Sequence, residues 1–133
     1  MVYNDIMNPE STGKTVLVVE DDKGLRRALT FMLEQVKHRV IMAADGEEAL
    51  KLIRDEKPNL ILLDLIIPKI NGFEVLRRTK EDPTTKDIPV VCFSNLSQDN
   101  DREQVLKMGA VEFVMKSEIS VDQVLGIVTK YLT

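Results

Sequence analysis

The sequence predicts an α/β domain, a parallel sheet of five strands sandwiched between helices, and three observations predict it. Short apolar, β-branched runs alternate five times with segments of helical period after position 14. Two of the runs, Leu60–Leu63 and Val90–Phe93, are apolar on both faces, as strands covered on both sides by helices must be. The repeat units are long enough for right-handed crossovers between parallel strands and too long for hairpins. The chain's 133 residues suffice for one domain with one sizeable core, and 44% hydrophobic with 30% charged residues is a globular composition.

The elements follow in order. Residues 1–13, with Asn4, Asn8, Pro9, Ser11 and Gly13 and few apolar positions, read as a flexible N-terminal arm outside the fold, which spans 14–133. Thr15–Glu20 is an apolar strand ending in acid. Leu25, Ala28, Leu29, Met32, Leu33 and Val36 then recur at i, i+3, i+4, i+7, i+8 and i+11, one face of an amphipathic helix. The pattern repeats as Arg39–Ala43 with Glu47–Glu56, Asn59–Asp64 with Gly72–Glu81, Pro89–Phe93 with Asp101–Met108, and Val111–Met115 with Ser120–Leu132. Pro58 closes the second helical region and Gly109 stops the fourth. That fourth segment is the least amphipathic, with Val105, Leu106 and Met108 as its only strong apolar positions, so it is the element held by fewest contacts.

Composition excludes several functions. The formal charge of −4, with no basic stripe, argues against direct nucleic-acid binding. One cysteine, Cys92, and one histidine, His38, allow neither an internal disulfide nor a Cys/His metal cluster, which suits a reducing cytoplasm. The N-terminus lacks a basic region followed by an apolar stretch of seven or more, and the longest apolar stretch, Leu60 to Ile67, is interrupted by Asp64, so neither a signal peptide nor a membrane span is expected. His38 falls between the first helix and the second strand, at the edge away from the strand ends that carry acid, and reads as a solvated loop residue.

Open parallel sheets bind ligands at the carboxyl ends of their strands. There the first run ends Glu20-Asp21-Asp22 and the third ends Asp64, so carboxylates from two strands converge on one cleft. Crowded acids repel by roughly 1–4 kcal/mol per pair, depending on the effective dielectric, and a hard divalent cation relieves that repulsion. Oxygen-only ligands favour Mg²⁺, Mn²⁺ or Ca²⁺ over zinc. The fourth run ends Phe93-Ser94 and the fifth Met115-Lys116, adding a hydroxyl and an ammonium. These are the parts needed to make and hold an acyl phosphate. Asp64 would be the nucleophile, the cation and Lys116 would offset negative charge, and Ser94 would donate to a phosphoryl oxygen.

With those residues in view, the stretch from Lys14 to Leu132 resembles the receiver domain of bacterial two-component response regulators, a flavodoxin-like (βα)5 fold, in its single-domain, chemotaxis-regulator-like form. Glu20 and Asp21 fall on that family's acidic pair, Asp64 on its phosphoacceptor, Pro68 and Gly72 on the Pro and Gly of the next loop, Ser94 on its Ser/Thr switch residue, Phe113 on its aromatic switch position and Lys116 on its signature lysine. The resemblance implies Mg²⁺, replaceable by Mn²⁺, bound by Asp21, Asp64 and the Ile66 carbonyl, with Glu20 acting through water. It implies a domain that catalyses its own phosphorylation and dephosphorylation at Asp64, taking the phosphoryl group from a sensor histidine kinase or a phosphotransfer protein. It further implies a downstream protein target on the surface of the fourth helix, fifth strand and fifth helix. Phe113 has no hydroxyl, so a switch needing a hydrogen bond from that ring is unavailable. Ser117 stands where the family usually has Pro. A non-proline cis bond costs about 2.5–4 kcal/mol, which leaves a trans Lys116–Ser117 bond or a strained cis one. A second reading is a receiver fold that docks a partner without switching. An aspartate-nucleophile phosphohydrolase fits poorly, since Ile66 occupies the place of that class's second acid.

Overall fold

A computed structural model describes residues 13–95 and 99–132. The expected N-terminal arm, apart from Gly13, lies outside the described residues. Strands β1 (Thr15–Val19), β2 (Arg39–Ala43), β3 (Leu60–Asp64), β4 (Val90–Ser94) and β5 (Glu112–Met115) alternate with helices α1 (Lys23–Gln35), α2 (Gly46–Glu56), α3 (Gly72–Glu81), α4 (Asp99–Lys107) and α5 (Val121–Leu132). A 3₁₀ turn, Lys116–Glu118, follows β5. All four strand pairings are parallel, in the order β2-β1-β3-β4-β5. The expected α/β sandwich is therefore present, with the order reversing direction between β1 and β3. A crevice opens at such a reversal, above the carboxyl ends of the two strands.

Alternation along the strands divides the core in two. Leu17, Val19, Ile61, Leu63, Val90 and Cys92 pack with Ile53, Val75, Leu76 and Val105 of α2, α3 and α4. Val16, Val18, Leu60, Leu62, Val91 and Phe93 pack with Leu29, Leu33, Val124 and Val128 of α1 and α5. β3 and β4 are buried along their whole length, as their double-sided apolar runs require, and β1 is buried along its length as well. The strand edges differ from the sequence reading by a residue. β1 stops at Val19, leaving Glu20 just past it, and β4 runs to Ser94. His38 is half-buried rather than solvated, and burial pushes its imidazole below the usual range. Among the described residues no helix is long and apolar enough to cross a membrane.

Two glycines clamp the loop that follows β3. A Cβ on Gly46 would sit 1.8 Å from the Ile70 carbonyl oxygen, and one on Gly72 would sit 2.5 Å from the Leu65 Cα. Both obstacles are backbone, which cannot swing aside. The closeness allows the Gly46 amide to donate to the Pro68 carbonyl at 3.2 Å and the Gly72 amide to the Leu65 carbonyl at 3.0 Å. Lys69, at φ 68°, turns the loop in the left-handed region, and its ammonium lies 3.5 Å from the Asp45 carboxylate. Asp45 and Asn71 cap α2 and α3, accepting from the Glu48 amide at 2.8 Å and the Glu74 amide at 3.0 Å. Gly46→Ala should cost about 3 kcal/mol in urea unfolding, the upper range for overpacking a close contact, whereas Gly126→Ala, whose Cβ meets nothing within 4 Å, should not destabilise.

Candidate phosphoacceptor and metal site

Three carboxylates meet at the crevice. Glu20, just past β1, and Asp64, the last residue of β3, are buried, whereas Asp21 is exposed. One oxygen from each lies within 4.8 Å of the others, close enough to share one ion. The run of three acids at 20–22 divides its labour. Asp22 turns to the start of α1, where its carboxylate accepts from the Leu25 amide at 3.0 Å, and that bond holds the Asp22 carboxyl below its usual range. The chain is thereby fixed for Glu20 and Asp21 to face the crevice.

Lys116 reaches into this cluster from the end of β5. Its ammonium lies 2.6 Å from Glu20 Oε1 and donates a hydrogen bond to Asp64 Oδ2 at 2.9 Å. Burial alone would lower the lysine, but the two carboxylates outweigh it and raise its pKa. Glu20 goes the other way. Burial is the largest influence and pushes its carboxyl up to about 7; Lys116 opposes the rise, while Asp64 adds to it. Glu20 Oε1 is buried, and the Lys116 ammonium at 2.6 Å is its charge partner. Its other oxygen accepts from the Asp22 amide at 3.1 Å, and Asp64 Oδ1 accepts from the Ile66 amide at 3.0 Å. When ionised, the three acids exceed the one ammonium by two negative charges, which a hard divalent cation would balance. The donor set therefore fits such an ion.

No cis peptide bond occurs among the described residues, so Lys116–Ser117 is trans. The lysine touches Asp64 all the same, and proline at 117 is not needed to aim it. Ser94, fully buried, closes β4 at the same sheet edge, one position beyond the Phe93 that pairs with Asp64. Phe113 lies on β5 opposite Cys92, with its ring buried in the core. The side chain of Ile66 is 56% exposed at the mouth of the crevice. Sequence reasoning missed Gly46, Asp45 and Lys69, which hold the loop of Ile66, and Arg26, whose guanidinium donates to the Glu20 carbonyl at 2.9 Å. The turn signals at Asp45-Gly46 and Lys69 were visible but gave no hint of each other, being far apart in sequence.

Residues 16–128 match the family described as the response regulator receiver domain. The chain belongs to that family. As a receiver domain it is 40% identical over 102 residues to the transcriptional regulatory protein AfsQ1 of Streptomyces coelicolor, covering 77% of this chain and 44% of that protein. It is 34% identical over 101 residues to protein PilH of Pseudomonas aeruginosa, covering 76% of this chain and 84% of that one. The chain thus spans less than half the length of relatives such as AfsQ1. Among solved structures, the Mn²⁺-bound form of response regulator Rcp1 superimposes with a TM-score of 0.80 at 33% identity, over 90% of this chain and 94% of that one. The phosphorylated cyanobacterial phytochrome response regulator RcpA does so with 0.81 at 34%, over 92% and 96%. The acidic cluster of this receiver domain thus occurs on a fold that binds a divalent metal in a similar protein.

Lys116 is the cation that reaches the carboxylates of Glu20 and Asp64, whereas Arg26 meets only the Glu20 backbone carbonyl. Lys116→Ala leaves Glu20 and Asp64 facing each other without it, and removing one partner of a buried ion pair costs about 3–5 kcal/mol. Protonation of Glu20, whose carboxyl already sits near 7, absorbs part of that cost. The variant should therefore lose about 2 kcal/mol at pH 8 and clearly less at pH 6, read by urea unfolding in EDTA.

Proposed function

We propose that this receiver domain is a phosphorylation-dependent switch that accepts a phosphoryl group on Asp64. The observation that carries the reading is the meeting of Glu20, Asp21 and Asp64 within 4.8 Å, with the Lys116 ammonium 2.9 Å from Asp64. Glu20, Asp21, Asp64 and the carbonyl of Ile66 would hold Mg²⁺, for which Mn²⁺ substitutes, and the ion would supply charge compensation for the incoming phosphoryl group. Asp64 supplies the nucleophilic oxygen; its Oδ1, oriented by the Ile66 amide, and its Oδ2, paired with Lys116, leave the carboxylate fixed in one direction. Lys116 and the Ser94 hydroxyl take up charge on the phosphoryl oxygens, and Ser94 and Phe113 relay occupancy to α4 and β5.

The donor is a phosphohistidine on a histidine kinase or phosphotransfer protein, since His38, this chain's only histidine, lies at the far end of β2 from the site. The output is a protein contact on the α4, β5 and α5 surface, with no nucleic acid read by the described residues, and the setting is cytoplasmic. Intact-mass measurement after treatment with acetyl phosphate and Mg²⁺ tests the reading. A gain of one phosphoryl group that is absent in EDTA supports it, and no gain from a folded protein would overturn it.

A further inference from the structure

We infer that Arg102 of α4 is a positioning residue for Phe113, holding the ring inward by a cation–π contact. Its guanidinium carbon lies 5.4 Å from the ring centroid, inside the roughly 6 Å range of such attraction. Phenylalanine offers no hydroxyl, so the negative face of its ring is the handle by which a cation can fix it. Arg102 stands one helical turn before Val105, which places both on the same face of α4. Val105 is the only buried side chain among those described on that helix, and it shares a core cluster with Phe113. The helix with the thinnest apolar attachment in the fold is thus tied to β5 by one buried valine and one charge resting on an aromatic ring. The other two described cations near rings, Lys116 over Phe93 and Lys130 over Tyr131, lie outside α4.

The consequence rests on the proposed role of Phe113 at the switch position. If an occupied Asp64 is favoured by an inward ring, then a residue that stabilises the inward ring must tighten occupancy of Asp64, because the two are linked through one conformational equilibrium. A cation–π contact at an exposed arginine translates into about a two- to fivefold change in such an equilibrium. Arg102→Gln should therefore weaken the apparent affinity for beryllofluoride, in the presence of Mg²⁺, by about that factor. Arg102→Lys, which keeps the cation, should restore most of it.

The test combines two readouts. The first is the NMR shifts of the Phe113 ring in the metal-free protein, which Arg102→Gln should move and Arg102→Lys should move less. The second is beryllofluoride titration of the parent, Arg102→Gln, Arg102→Lys and Phe113→Leu proteins and of the Arg102→Gln/Phe113→Leu double variant. The inference predicts that the Arg102→Gln effect disappears in the Phe113→Leu background. Unmoved ring shifts, an unchanged affinity in Arg102→Gln, or an equal loss with leucine at 113 would each overturn it while leaving phosphoryl acceptance at Asp64 standing. Failure of the parent to bind beryllofluoride at all would instead remove the switch reading, and the inference with it.

Discussion

Asp64→Asn should abolish Mg²⁺-dependent phosphoryl uptake altogether while leaving a protein at least as stable as the parent. The substitution keeps the side chain's shape and an oxygen able to accept from the Ile66 amide, but it replaces the nucleophilic carboxylate oxygen with an amide. Stability is retained because Asp64 is one of the groups that drive the Glu20 carboxyl upward. With that charge gone, Glu20 ionises more readily and keeps Lys116 as its partner at the 2.6 Å contact. Loss of uptake thus cannot be a folding defect, and parallel melting curves check this. Undiminished mass gain in the folded variant would show that another side chain takes the phosphoryl group.

The second large effect concerns the cation. At 100 times its dissociation constant a ligand adds about 2.7 kcal/mol to stability, so millimolar Mg²⁺ should raise the melting temperature at matched ionic strength. Asp21 is exposed and caps nothing, so Asp21→Ala should fold normally and lose nearly all of this response. A hundredfold weaker affinity would leave about 0.4 kcal/mol at the same Mg²⁺ concentration. The response should also depend on pH in a stated direction. Because the folded Glu20 carboxyl is raised from 4.5 to about 7, the folded state holds a proton that the unfolded chain has released. Metal-free stability therefore falls, for this group, as pH rises from 4.5 to 7. Mg²⁺ competes with that proton, so its stabilising effect should be larger at pH 8 than at pH 6. An equal Mg²⁺ response at both values, or in Asp21→Ala, would contradict the proposed ligand set.

The sequence made the fold legible because its signals were local. Double-sided apolar runs at 60–63 and 90–93 demanded interior strands, and β3 and β4 do occupy the interior of the sheet. The acids and Lys116 were legible because a parallel sheet delivers strand ends to one edge, whatever lies between them in sequence. Geometry that depends on contacts between distant loops was not legible. The packing of Gly46 on Ile70 joins two loops more than 20 residues apart, and nothing in either stretch names the other. The Lys116–Ser117 bond was equally undetermined, since both isomers satisfy the local sequence; the structure has it trans with Lys116 on Asp64. The division of labour among Glu20, Asp21 and Asp22 required the start of α1 to be fixed at Lys23, two residues before the first strong apolar position of its face.

The central claim is that Asp64 itself forms the acyl phosphate, and chemical trapping locates it most directly. Borohydride reduces an acyl phosphate to the corresponding alcohol, so protein treated with acetyl phosphate and Mg²⁺, then reduced and digested, should carry homoserine at position 64 in the peptide spanning the end of β3. Reduction at position 21 or 22 instead, or an unmodified position 64 in protein whose intact mass has risen by one phosphoryl group, would contradict the account.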